Sequence, residues 1–174
     1  MSGKMLVLFA KSTRHVMSAV TVTAVPATQV TADALVGTAL QLRNAPEKNP
    51  AGEWRLALPA EALDVTVVNA DDQVLADPFS YEIGSDKQPR QLTHPTEKLT
   101  IAALLPASLK VTVSGPLPLP SGLNVLVCEE HGADAAKIQP TTMENGVATV
   151  TTTVTVPRIV LALVAGYPPA VTSV

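Results

Sequence analysis

What most constrains this chain is the way its apolar residues are punctuated. Short runs rich in Val, Thr and Ala are cut by turn clusters and by 15 prolines, and no long amphipathic helical pattern occurs. Proline is excluded from helix interiors and from central ladder positions, while β-branched residues suit the pleated surface of a sheet. The pattern therefore predicts an all-β fold of antiparallel strands. Two arrangements satisfy it: two small Ig-like β-sandwiches, which is the favoured reading, or one larger jelly-roll-like sandwich.

Individual segments refine this expectation. "KMLVLFA" from Lys4 and "IVLALVAG" from Ile159 are apolar without alternation, as strands covered on both faces must be. "VMSAVTVTAV" from Val16 reads as a strand with one polar face. Thr31 before "ADAL" predicts a short helical turn stopped by Gly37, followed by a strand over "TALQLR". "NAPEKNPAGE" is a loop by composition. "WRLAL", "LDVTVV", "QVLAD" and "FSYEI" follow as strand candidates, and then "KLTIAAL", "LKVTVSG", "LNVLVCEE" and "AAKIQP". Asn145 and Gly146 in "ENG" suit the positive φ angles of a hairpin turn.

One motif recurs. "LPAEALDVTV" from Leu58 is echoed by "LPASLKVTV" from Leu105, each a strand, a Leu-Pro-Ala turn, a leucine and Val-Thr-Val. The copies are too close, and too different in strand register, for a duplicated domain. They read as one way of turning a strand, with Leu63 and Leu109 folded inward and the chain free to cross between sheets. The polar interval "GSDKQPRQLTHPT" supplies the boundary, giving a domain over 1–88, a linker over 89–96 and a second domain over 97–174. A single domain over 1–174 is the alternative.

Chemistry-bearing residues are few. "VCEEH" brings Cys128, Glu130 and His131 together as weak metal-ligand candidates, and Cys128 with His131 could also form a nucleophile and base. Strand alternation puts Cys128 and Glu130 on one face and Glu129 on the other, so the ordinary reading is a buried cysteine and a solvated strand end. The polar turn holding Lys11, Arg14 and His15 reads as solvated, and nothing in the spacing joins His15 to His94. Phosphate-loop and dinucleotide fingerprints are missing, as is a Gly-x-Ser-x-Gly elbow, and no cofactor is expected. Trp54, beside the "NAPEKNPAGE" loop, is the weak candidate for a carbohydrate- or peptide-binding position.

The balance of charge narrows the partners. Twelve basic and 15 acidic residues give a net charge of -3 without any run of like charge, so nucleic acid finds no basic footprint. Lys4 precedes an apolar run too short for a usual signal peptide, and no apolar run reaches the length of a membrane span. A lone cysteine excludes an internal disulfide. These features predict a soluble protein, cytoplasmic or inside a particle assembled in the cytoplasm, with protein subunits, homo- or hetero-oligomeric, as partners and neither nucleic acid nor membrane.

At 16% charged residues, its surface suits a subunit packed against neighbours. The expected function is a non-catalytic structural or interaction subunit of a larger assembly. By analogy of fold class alone, a phage-tail-like particle or other protein shell is an example. Thr149, Thr151, Thr153 and Thr155 in "VATVTTTVTV" form its expected interface: alternation sets them on a hydroxylated face, opposite Ala148, Val150 and Thr152. The rival expectations are a monomeric carbohydrate- or peptide-binding module and a small metal- or thiol-dependent enzyme.

Overall fold

The computed structural model describes residues 3–23, 30–43, 55–104, 107–115, 118–131, 134–152 and 159–173. In chain order its N-terminal part runs through β1 (Lys4–Ala10), β2 (Val16–Val22), α1 (Ala32–Val36), β3 (Ala39–Arg43), β4 (Arg55–Pro59), β5 (Leu63–Asn69), α2 (Asp72–Ala76), β6 (Tyr81–Ile83) and β7 (Pro89–Gln91). It continues through β8 (Lys98–Leu104), β9 (Ser108–Ser114), β10 (Leu123–His131), β11 (Asp134–Met143), β12 (Val147–Thr151), β13 (Ile159–Val164) and β14 (Ala170–Ser173). The protein is mostly β, and all of its strand pairs are antiparallel among the described residues. No helix among them is long and apolar enough to cross a membrane.

β1 lies between β2 and β5. Its side chains divide by alternation: Met5, Val7 and Phe9 join Val16, Val68, Val74, Tyr81 and Ile83 in one cluster, while Leu8 and Ala10 enter another. Cover on both faces explains why the run shows no polar alternation. After β1 the chain turns at Arg14, whose positive φ of 67° is held by hydrogen bonds from its guanidinium to the carbonyls of Ile83 and Gly84. That contact ties the first turn to the end of β6.

The two Leu-Pro-Ala corners differ in outcome. At the first, Pro59 opens a 3-10 turn over Ala60–Ala62, and the chain leaves its pairing with β3 to enter the sheet beside β1. At the second, β8 and β9 pair with each other up to Leu104 opposite Ser108, so no crossing occurs; Leu105 and Pro106 lie outside the described residues. Leu63 and Leu109 are both fully buried, as expected. A corner sequence fixes the inward leucine, while the partner of the departing strand is decided elsewhere.

One strand expectation fails. "QVLAD" lies within α2 and its C-cap, because Asp71 caps that helix by accepting a hydrogen bond from the Gln73 amide at 2.9 Å. The five-residue run is too short for its periodicity to separate helix from strand. "FSYEI" likewise begins with a 3-10 turn over Pro78–Ser80 before β6. Within the polar interval, Pro89–Gln91 pairs with β6, and Leu92 is buried.

β10 and β13 occupy the interior of a four-stranded sheet ordered β11-β10-β13-β14. One of its faces carries Val125, Val127, Val160 and Ala162, which cluster with Leu109, Val111 and Val150. Its other face carries Leu126, Cys128, Leu161 and Leu163, which pack with Leu8, Met17, Leu56, Leu58 and Leu63. This second core therefore draws on residues from both sides of 89–96. Asn145 and Gly146 adopt φ of 47° and 73°, as the turn requires. Only Glu144 and Val147 pair across it, since β11 and β12 then diverge into separate sheets.

Candidate functional site

β12 is the end strand of the sheet ordered β12-β9-β8. It pairs with β9 from Val147 opposite Thr112 to Thr151 opposite Ser108. Ala148 and Val150 point into the core, and Thr149 and Thr151 are exposed, so the predicted division of faces holds over β12. Thr153 and Thr155 lie outside the described residues, as does Trp54. Among the described residues, no strand pairs with the outer edge of β12.

Thr152 anchors the end of this strand. Its amide donates to the carbonyl of Ala107 at 2.9 Å, and its hydroxyl donates to Glu129 Oε2 at 2.6 Å. Gln139 donates its side-chain amide to Glu129 Oε1 at 2.7 Å. Glu129 is 0% exposed, and a carboxylate taken out of water requires such donors. It links β10, β11 and the end of β12. Sequence reasoning separated Glu129 from Cys128 correctly but expected a solvated strand end; the sheet is covered on both faces, so both residues are interior.

Cys128 sits in the core with Leu126, Ala136 and Leu161. Burial pushes its thiol up to about 12, leaving it protonated at neutral pH, whereas nucleophiles and metal ligands are thiolates. Glu130 is half-buried, and its carboxylate accepts a 3.4 Å hydrogen bond from the Ile159 amide. The His131 side chain lies outside the described residues. Among those residues, no three of His, Cys, Asp and Glu gather as a metal-binding group.

The chain matches no family model and no curated protein. The described residues hold several buried polar contacts.

The strongest of these is at His15, expected in a solvated turn and found 0% exposed. Its Nε2 donates to the carbonyl of Tyr167 at 2.6 Å. The carbonyl can only accept, so Nδ1, 3.0 Å from the Thr13 hydroxyl, takes the acceptor role in a neutral imidazole. Burial holds His15 below its ordinary value of 6.5, outweighing the Tyr167 carbonyl and the charge of Glu82, which act the other way. Glu82 is itself buried and ion-paired with Arg90 at 3.0 Å.

Tyr167 also meets His94, whose ring stacks on it with centroids 4.4 Å apart. His94 Nδ1 lies 2.8 Å from Glu97 Oε2. Burial, with a smaller contribution from Glu97, raises the Tyr167 phenol. Two histidines that the sequence leaves unrelated thus share one tyrosine. His15 sits 152 positions from Tyr167, a separation over which local pattern carries no signal.

Proposed function

We propose that the protein is a non-catalytic structural or interaction subunit of a larger protein assembly, acting through β-sandwich surfaces and edge strands. The observation that carries this reading is the edge of β12, with which no strand among the described residues pairs, and the exposed Thr149 and Thr151 beside it. Unpaired N–H and C=O groups along such an edge can accept a partner strand, and Thr and Val favour that pairing. The Glu129–Thr152 anchor supports the reading, because a fixed strand loses less conformational freedom on docking. The sparse charge of the chain agrees with a surface covered by neighbours.

The sandwich arrangement is supported by the core of β9, β10, β12 and β13 residues that lies between two sheets. A single folding unit, in place of two domains, is supported by the core in which Leu56, Leu58 and Leu63 meet Leu126 and Leu161. The setting we propose is the cytoplasm or a particle assembled there.

Size-exclusion chromatography with light scattering, over a range of concentrations and with Thr149→Pro alongside the natural protein, tests the edge. Proline removes a backbone donor and is a known block to strand pairing. We expect oligomers that grow with concentration and are reduced in the variant, with the far-ultraviolet circular dichroism of the two proteins alike. A self-association that the variant leaves intact would count against the β12 edge. A strictly monomeric natural protein that also captures no partner strand would overturn the reading.

A further inference from the structure

Apart from the β12 edge, a recess of about 360 Å³ opens where the end of β3, the 3-10 turn at Pro78–Ser80, β13 and the start of β14 meet. Its lining is almost wholly apolar, with Leu42, Leu161, Pro168 and Val171 forming much of it. Phe79 also lines it and is 40% exposed, an unusual position for a phenylalanine in a chain with only two. Prolines 168 and 169 fix the backbone on one side.

One polar group stands out in this lining. Ser80 borders the recess, but its hydroxyl donates to Asp77 Oδ2 at 2.6 Å and is already engaged. Arg43 is exposed, lines the recess, and makes no ion pair among the described residues.

Small-molecule sites typically enclose about 300–1,000 Å³, are mainly apolar, and carry a few polar groups that set orientation. This recess meets that description at the small end, with room for one hydrocarbon chain or ring. We propose that it binds a small amphipathic monocarboxylate, whose apolar body lies against Phe79, Leu161 and Val171 and whose carboxylate is taken by the Arg43 guanidinium. The guanidinium fork matches a carboxylate in two parallel hydrogen bonds, which a neutral head group cannot reproduce.

Octanoate, below its micelle concentration, is the probe, and octan-1-ol is its neutral counterpart. Titration calorimetry and amide chemical-shift mapping of the full chain should show one saturable octanoate site, with shifts centred on Leu42–Arg43, Phe79–Ser80 and Ala170–Val171. Octanoate should bind about tenfold more tightly than octanol. Arg43→Gln should abolish that preference while leaving octanol within about twofold, and Phe79→Ala should weaken both ligands. Both residues are exposed, so neither variant threatens the core. Absence of saturable octanoate binding, shifts centred elsewhere, or a carboxylate preference that survives Arg43→Gln would each overturn the proposal.

Discussion

His15 makes acid sensitivity a calculable property of this protein. The imidazole is fully buried, donates to the Tyr167 carbonyl and accepts from Thr13, so the native state holds it neutral. Burial is the main cause of its lowered value, and the unfolded chain returns it to about 6.5. Because the folded value is depressed, the unfolded state binds more protons below 6.5, and stability falls as pH drops through that region. Between about pH 7.5 and pH 5.5, the most that a depressed His15 can cost the native state relative to the unfolded one is about 1.4 kcal/mol, the limit in which it takes up no proton. The measurement must isolate this one group.

His15→Gln does so, since glutamine does not titrate. Urea denaturation of both proteins at the two pH values gives four unfolding free energies. The variant should be the less stable at the higher pH, and its deficit should shrink at the lower one, by up to about 1.4 kcal/mol. A deficit that stays constant would mean His15 titrates alike in both states. A deficit that widens would mean that Glu82 and the Tyr167 carbonyl stabilise the cation more than burial penalises it. Either result refutes the neutral assignment.

Thr152→Val should cost about 1.5–3 kcal/mol in the same denaturation assay, because it takes a hydroxyl donor from the buried Glu129 carboxylate, while Thr152→Ser should retain most of the stability. A loss in Thr152→Ser with none in Thr152→Val would show that the methyl group, not the hydroxyl, matters. Cys128, with its thiol pushed up to about 12, should react with an aromatic disulfide reagent only as fast as the protein opens, and fully in denaturant; rapid labelling of the native protein would contradict its burial.

The sequence makes the strands legible where local chemistry decides them. Lys4–Ala10 and Ile159–Val164 read as doubly covered because nothing polar interrupts them, and both are buried along almost their whole length. Thr31 and Gly37 frame α1 as expected, although the Thr31 side chain makes no capping hydrogen bond. α2 escapes notice because five residues with mixed character fit either period, and the capping role of Asp71 outweighs strand propensity there.

The candidate site is legible only in part. Alternation correctly divides Thr149 from Val150 and Cys128 from Glu129. It cannot say which faces are covered, and so the burial of Glu129 and His15 was unforeseen. Their partners, Thr152 and Tyr167, lie 23 and 152 positions away, and such pairings are fixed by topology alone.

The core shared by β4, β5, β10 and β13 also bears on how the chain is made. During synthesis the N-terminal residues emerge first, and Leu56, Leu58 and Leu63 are ready to pack well before Leu126 and Leu161 exist. Closing that core must await the ribosome's delivery of β13, roughly a hundred residues after Leu63. Nascent chains of this protein therefore carry an open leucine surface for most of their growth, and chaperones that cover such surfaces have their longest opportunity here.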